Sequence, residues 1–500
     1  MENLPELKQL LDSPRFNIRN EVRSIIGRKE FHHFDRSSTA DYRESVWRQI
    51  QILGKEGIGR LGIPAHLGGS ADPKGFLTAI ETLAEGDLSL LIKFGVQFGL
   101  FGGSIQNLGT TTHHRLYLAD AMSASLPGCF AMTESNHGSN VAALETMITY
   151  TPQDDSFLVH TPNYGAGKDY IGNAACHAQL ASVFGQLIVD GCNHGVHCIL
   201  VPIRDAQGNP LPNVTISDDG EKMGLNGVDN GRLWFDHVKV PRANLLNRFG
   251  GVDNTGTYTS PITSKSRRFF TMLSTLVGGR VSIGLGALTA SKRALKIAVD
   301  HSLDRRQFGA PDQPEIRLID YPTHQERLIP RLAKTYALHF SLRNLVEKFG
   351  EDDAVSARIY EQEAAALKAA STWHATDTIQ ACREACGGQG YLSKMGFTDL
   401  KGDTDIFATF EGDNTVLQLL VAKELLKSFG QRFKKRSLIG FLKFRSKLSI
   451  DSWKALSGNP SVPELLELRQ RMLTFHLGTA IRERVKQQHM STLEAFNAEG

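Results

Sequence analysis

The stretch ASVFGQLIVDGCNHGVHCILVPI, residues 181–203, decides the fold. Two short, apolar, β-branched runs, 181–191 and 196–203, flank Cys192-Asn193-His194-Gly195. The Asn-x-Gly spacing predicts a turn there that pairs the runs as a hairpin. Just downstream, LPNVTISDDGEKMGLNGVDNGRLWFDHVKVP, residues 211–241, holds a second pair of strand-like runs. Asp219-Gly220, Asn226-Gly227 and Asn230-Gly231 punctuate it. Many short strands with frequent turns predict a small sandwich or barrel over residues 128–255.

Outside this block the texture is helical. Upstream, Leu77, Ile80, Leu83 and Ala84 recur at helical spacing, and residues 1–127 read as an N-terminal helical domain. Downstream, Arg280–His301 and Ala354–Ala385 are long, Ala/Leu-rich and free of proline, and Pro311, Pro314, Pro322 and Pro330 punctuate the region between them. A C-terminal helical bundle is therefore expected over 256–430, followed by a short extra helical tail, 431–500. Residues 431–450 carry seven Lys and Arg, no acid, and interspersed Phe and Leu. That pattern reads as a helix docked on the body, or as a surface for a membrane or an acidic ligand. The fold class is α+β and multidomain. Its helix–strand–helix order is not the alternation of a doubly wound sheet, so a nucleotide cofactor is not expected in a Rossmann crevice.

Composition narrows the function classes. With 56 basic and 53 acidic residues among 500, the net charge of +3 gives no electrostatic case for nucleic-acid binding. The six cysteines include no CxxC pair, which suits a reducing compartment. The first residues carry acids and no apolar core, and FNAEG is not an SKL-type ending, so a cytoplasmic location is expected. The uncharged stretch Phe94 to Thr112 is rich in Gly, Gln and Asn and is a poor membrane span. Cys192, His194, His197 and Cys198 are not spaced as a zinc site, and no metal is expected.

Three segments carry chemistry. Around Glu411, FATFEGDNT sets a carboxylate between apolar residues and a glycine. Desolvation there would raise its pKa and make it a general base; equally, Asp413, Asn414 and Thr415 are helix caps and Glu411 is then a solvated helix-start residue. Gly387 and Gly388 follow a long Ala-rich helix. They form either its C-cap or a place where backbone approaches a ligand; the dinucleotide fingerprint fails at Ser393. The loop 129–141 offers hydroxyls and backbone donors around Gly138 to a phosphate or a polar ring, or is an ordinary turn into the strand domain.

Together these segments resemble the acyl-CoA oxidase branch of the acyl-CoA dehydrogenase superfamily. The resemblance covers about residues 50–428 and rests on seven ordered motifs: LFGGSIQNLGT, PGCFAMTESNHGSNV, KDYIGNAA, GGRVSIGLGALTASKRAL, DRRQFG, CREACGGQGY and DIFATFEGDNTV. It implies an acyl-CoA dehydrogenase-like fold with FAD held between the domains and a neighbouring subunit, in a homodimer or homotetramer. Glu411 matches the catalytic base, with its own backbone N–H and a flavin hydroxyl donating to the thioester oxygen. Thr133 and Gly172 match positions against the flavin, and Gly138 and Ser139 positions near the pyrophosphate and the thioester ligand. Arg305 and Gln307, in the RxQFG pattern, and Gly387 and Gly388 match the site for the partner's FAD. Asn414 sits beside the cofactor in that pattern, Gly412 on the substrate side, and Arg280 matches the arginine that reaches the CoA nucleotide. The implied reaction oxidises a fatty acyl-CoA to a trans-2-enoyl-CoA, with O2 reoxidising the flavin to give H2O2. The alternatives are a dehydrogenase that passes electrons to an electron-transfer flavoprotein, and a non-catalytic flavin- or CoA-binding scaffold. Two departures stand out: Gly402-Asp403 replaces the dehydrogenases' Arg-Asp, and about 70 residues stand where full-length oxidases continue into a second C-terminal bundle.

Overall fold

The computed structural model describes residues 4–32, 36–274, 277–350 and 354–434, with isolated positions 451, 468–469, 472–473 and 479. The tail expected at 431–500 thus lies almost wholly outside the described residues. The chain divides into two compact units, Met1–Asp413 and Asn414–Gly500. Helices, then strands, then helices all fall within the first.

The N-terminal helices start where short polar side chains cap them. Asp72 accepts from Gly75 N at 2.7 Å before the helix Pro73–Leu83, and Asp87 accepts from Leu90 N at 3.0 Å before Leu88–Phe94. Leu77, Ile80, Leu83 and Ala84 are all buried, as their spacing predicts. The helical run Leu88–Leu108 is long and apolar enough to cross a bilayer, yet 78% of its apolar window is buried inside the protein. It also carries Lys93, which ion-pairs with Asp229 with both side chains fully buried.

The strands run β1 (Gly128–Ala131), β2 (Met147–Thr151), β3 (Ser156–His160), β4 (Lys168–Ile171), β5 (Leu180–Val189), β6 (Cys192–Pro202), β7 (Val214–Asp218), β8 (Gly231–Phe235) and β9 (Val238–Pro241). In the larger sheet β5 is central. β6 pairs antiparallel along one edge; β1 and then β2 pair parallel along the other; β3 and β9 extend the sheet antiparallel from β2. β4, β8 and β7 form a second, antiparallel sheet. β5 is apolar apart from Ser182 and Gln186 because both its faces are covered. Leu180 and Phe184 enter the core shared with the helices, whereas Ala181, Val183 and Leu187 enter the core shared with the second sheet.

The hairpin turn between β5 and β6 differs from the sequence expectation by two residues. Val189 pairs with Cys192, so the loop is Asp190-Gly191, with φ of 48° and 71°. Two consecutive positive φ angles define the type I′ turn that Asp-Gly favours. Asn193 to Gly195 lies inside β6, where Gly195 N donates to Asn193 Oδ1 at 2.6 Å and the register shifts.

Three long helices complete this unit: Gly278–Asp304, Pro322–Glu347 and Ala354–Ala385. The first is buried on nearly all sides, which its Ala, Gly and Ser content permits. Pro322 opens the second at its first turn, but Pro330, expected to interrupt the chain, sits inside that helix. Pro330 is exposed there, and the helix packs through Leu338, Leu342 and Leu345 beyond it.

Candidate active site

The helix Phe397–Asp405 runs into a short 3-10 turn, Ile406–Ala408, that anchors the segment bearing Glu411. Phe407 is fully buried and stacks on Phe410 with ring centroids 5.4 Å apart. Glu411 and Gly412 then both adopt positive φ, 56° and 100°. For a glutamate this left-handed conformation costs about 1–2 kcal/mol, so the surroundings must hold it. A Cβ on Gly279 would come within 2.5 Å of a Glu411 carboxylate oxygen, so the start of the helix Gly278–Asp304 leaves room for that group by lacking a side chain. Burial raises the Glu411 pKa above its ordinary value, against the opposing charges of Arg280 and Lys368. Glu411 is thus a desolvated carboxyl and not a solvated helix start.

Two motifs of the β region form one platform. Asp169 N donates to Thr133 O at 3.0 Å, Ser135 N to Gly167 O at 3.1 Å, and Ser135 Oγ to Asp169 Oδ2 at 2.7 Å. Beneath them Glu134 and Lys168 are fully buried and paired at 2.9 Å. Glu134 also accepts from Glu145 N and from Thr146 N and Oγ1, so one carboxylate ties both ends of the loop 134–146. Burial pushes its pKa up, but Lys168 and these hydrogen bonds outweigh that and hold it low. Gly172 follows β4, and a Cβ there would meet Val96 Cγ2 at 2.9 Å. Beside it, Asn173 is buried at a φ of 69° and donates to Gly128 O at 2.8 Å, and its Oδ1 has no hydrogen-bond partner.

The Gly402-Asp403 departure has a steric reason. A Cβ on Gly402 would meet Met223 O at 2.6 Å, and one on Gly224 would clash with the Gly402 backbone. The loop after β7 therefore lies directly on the helix Phe397–Asp405, and Asp403 Oδ1 accepts from Leu225 N at 2.6 Å. Burial raises Asp403 to about 6; the Leu225 bond opposes this and Asp87 adds to it.

The other expected site residues are more scattered. Gly138 and Ser139 are exposed, and a Cβ on Gly138 would meet open space. Arg305 ends the helix Gly278–Asp304. Gln307, with its amide turned to satisfy its neighbours, accepts from Arg305 at 2.6 and 3.1 Å. Gly387 has a φ of 56° as the helix Ala354–Ala385 ends, and Cβ atoms on Gly387 and Gly388 would both project into open space. Among the described residues, no hydrogen bond or ion pair joins Arg305, Gln307, Gly387 or Gly388 to Glu411. Asn414 opens the helix Asn414–Lys434 in the second unit. Arg280 stands close enough for its charge to act on both Glu411 and Glu361. Sequence reasoning missed Gly279, Glu134, Lys168 and Lys368. The first three lie inside quoted motifs and Lys368 does not, but nothing local marks Glu134, Lys168 or Lys368 as a buried charge.

One group among the described residues, His160, Asp236 and His237, is compact enough for a metal ion. Its imidazoles stack 3.9 Å apart at the edge of the β region, and it includes none of the residues above.

Comparison with known proteins agrees with this geometry. The acyl-CoA oxidase C-alpha1 domain matches residues 273–426, and the acyl-CoA dehydrogenase middle domain matches residues 129–238. The peroxisomal acyl-coenzyme A oxidase 2 of Arabidopsis thaliana is 44% identical over 408 residues, 79% of this chain and 58% of that protein. The chain thus spans less than two thirds of that relative's length. The crystal structure of acyl-CoA oxidase 3 from Yarrowia lipolytica superposes with a TM-score of 0.79 at 30% identity, covering 96% of this chain and 71% of that one. The Caenorhabditis elegans acyl-CoA oxidase-2, solved bound with FAD, ascaroside-CoA and ATP, shares the fold with a TM-score of 0.79 at 24% identity. With this likeness running through both the β region and the helices that carry Glu411, the chain belongs to the acyl-CoA oxidase family.

Proposed function

We propose that the protein oxidises an acyl-CoA thioester to the trans-2-enoyl-CoA, with FAD as cofactor and O2 as acceptor. The observation that carries this is Glu411: a desolvated carboxyl, held in a left-handed turn, with cationic groups beside it. An α-proton next to a thioester is weakly acidic. Its removal calls for a base freed from water and for donors on the thioester oxygen. Glu411 takes that proton, and its backbone N–H is the donor that the resemblance assigns to the oxygen. Bound FAD supplies the acceptor for the β-hydrogen as hydride and the route of two electrons to O2, which leaves as hydrogen peroxide.

The residues present fit such a cofactor. Asn173 Oδ1 is buried and unpartnered beside Gly172, and the open faces at Gly138, Gly387 and Gly388 let a ligand approach backbone. Thr133, Gly138 and Gly172 would hold the flavin of this subunit, with Ser139 and Gly412 toward the substrate. Arg305, Gln307, Gly387 and Gly388 would hold that of a partner copy. Self-association is supported by the helix Pro322–Glu347, where Ile329, Leu332, Tyr336 and Phe340 form an exposed apolar stripe at helical spacing. The oxidase names of the relatives favour O2 over an electron-transfer flavoprotein.

The test is anaerobic titration of the purified protein with a straight-chain acyl-CoA, then admission of air with peroxide assayed. Bleaching of the flavin band, recolouring in air and one peroxide per flavin are expected. Bleaching that persists in air would exclude O2 as acceptor, and a colourless protein would exclude the flavin.

A further inference from the structure

The Glu411 turn rests on a charge that the mechanism above does not use. Lys368, in the middle of the helix Ala354–Ala385, is fully buried. It stands where that helix crosses the helix Gly278–Asp304 closely, its Cα 3.7 Å from the site of a Cβ on Gly284. Its Nζ donates to Gly412 O at 2.7 Å, one residue beyond Glu411.

First, consecutive positive φ angles at Glu411 and Gly412 turn the Gly412 carbonyl inward, where it must be hydrogen-bonded. Second, a carbonyl alone does not call for a cation. A neutral donor would satisfy it at a lower desolvation cost, and buried charges are kept where they act on other charges. Third, the acids facing Lys368 are Glu411 and Asp413, and both favour its protonated form. Facing Glu411 are Arg280 from the helix Gly278–Asp304 and Lys368 from the helix Ala354–Ala385. Arg280 also acts on Glu361; Lys368 is the cation that is hydrogen-bonded to the turn itself, at Gly412 O.

We propose that Lys368 is a positioning residue for the base: it pins the Glu411–Gly412 turn through the Gly412 carbonyl and keeps the Glu411 carboxyl ionised in its dry cleft. During proton abstraction the α-proton passes to Glu411, while Lys368 keeps its own proton and its carbonyl bond. The inference rests on Glu411 being the base.

Three variants separate the parts. Lys368→Met removes charge and donor, Lys368→Gln keeps a donor without charge, and Glu411→Gln identifies the carboxyl. Infrared difference spectra over a pH series, on protein without substrate, give the titration of the Glu411 band, recognised by its loss in Glu411→Gln. In both Lys368 variants that titration, and the acid limb of flavin bleaching by acyl-CoA, should move up by about one pH unit or more. At neutral pH, kcat should fall on the order of 10²-fold in Lys368→Met with KM changed far less, and Lys368→Gln should fall less than Lys368→Met. A Glu411 band that titrates at the same pH with and without the Lys368 charge would overturn the proposal, whatever the activity. Bleaching that survives Glu411→Gln would overturn the base assignment instead, a separate failure. Should neither Lys368 variant fold, the wild type decides. Burial lowers Lys368 to about 8, against the pull of Glu411, so the Glu411 carboxylate band must respond as that ammonium titrates, and an unresponsive band refutes the link.

Discussion

A single missing methyl group separates Gly279 from Glu411: a Cβ on the glycine would lie 2.5 Å from the carboxylate Oε2 and 2.8 Å from Cδ. The helix start and the base therefore share one space. Gly279→Ala should push the carboxylate aside, because the backbone at Gly279 is helical and cannot retreat. A displacement near 1 Å is worth on the order of 10²-fold in rate, so kcat/KM for acyl-CoA should fall by about that factor with flavin content unchanged. Stopped-flow bleaching of the flavin checks it, and a rate within twofold of wild type would remove the steric argument.

The base must be ionised to act, and burial raises its pKa above the ordinary glutamate value. Bleaching should therefore be fast at high pH and fade as pH falls through that raised value, earlier than an exposed glutamate would allow. Replacing Arg280, whose charge opposes the rise, with Gln should move the acid limb to still higher pH. A limb that stays put in Arg280→Gln would show that the two charges are uncoupled.

Asp403 carries a stability signature of opposite practical use. Its folded-state value of about 6 lies above the unfolded 3.8, so the folded protein holds the proton more tightly. The stabilisation is fully present below about pH 4 and is lost as pH rises through about 6, by roughly 3 kcal/mol at most. Asp403→Asn keeps an acceptor for Leu225 N and should abolish this slope. Urea unfolding of both proteins across pH 4–7 measures it, and parallel curves would contradict the assignment.

Lys93 and Asp229 form an ion pair with no solvent exposure, and Asp229 also accepts from Cys176 N and His177 N, at 2.8 and 3.1 Å. That carboxylate fixes the loop following Gly172. Lys93→Met should cost about 3–5 kcal/mol by stranding a buried charge, and should lower flavin content through the loop. The double variant Lys93→Met/Asp229→Asn should recover part of the loss. A single variant within about 1 kcal/mol of wild type in urea would count against the pair.

The helix–strand–helix order is legible because β5 is rich in apolar and β-branched residues while the helices Gly278–Asp304 and Ala354–Ala385 are long, Ala-rich and free of proline, local signals that do not depend on what surrounds them. The sequence points to the wrong turn between β5 and β6 because Asn193 and Gly195 have turn chemistry too, and only strand pairing shows that Asp190-Gly191 uses it first. Pro330 reads as a break in the sequence because its cost is local, whereas the packing beyond it along the helix is not. Glu411 and the β motifs stand out through the ordered motifs taken together, since the residues around Glu411 alone also fit a solvated helix start. Lys168 and Lys368 do not stand out as buried charges, since a lysine in sequence gives no sign of burial, and each is defined by an acid or a carbonyl from 34 to 44 positions away.

The backbone contact of Gly224 with Gly402 bears on how such a protein can diverge. Each glycine is required whatever residue stands at the other position, since either Cβ would strike main-chain atoms across the contact. A lineage that has acquired both cannot lose one by a single tolerated substitution. The loop after β7 and the helix leading to the base must then change together or not at all, and sequence drift elsewhere leaves that junction as a fixed point.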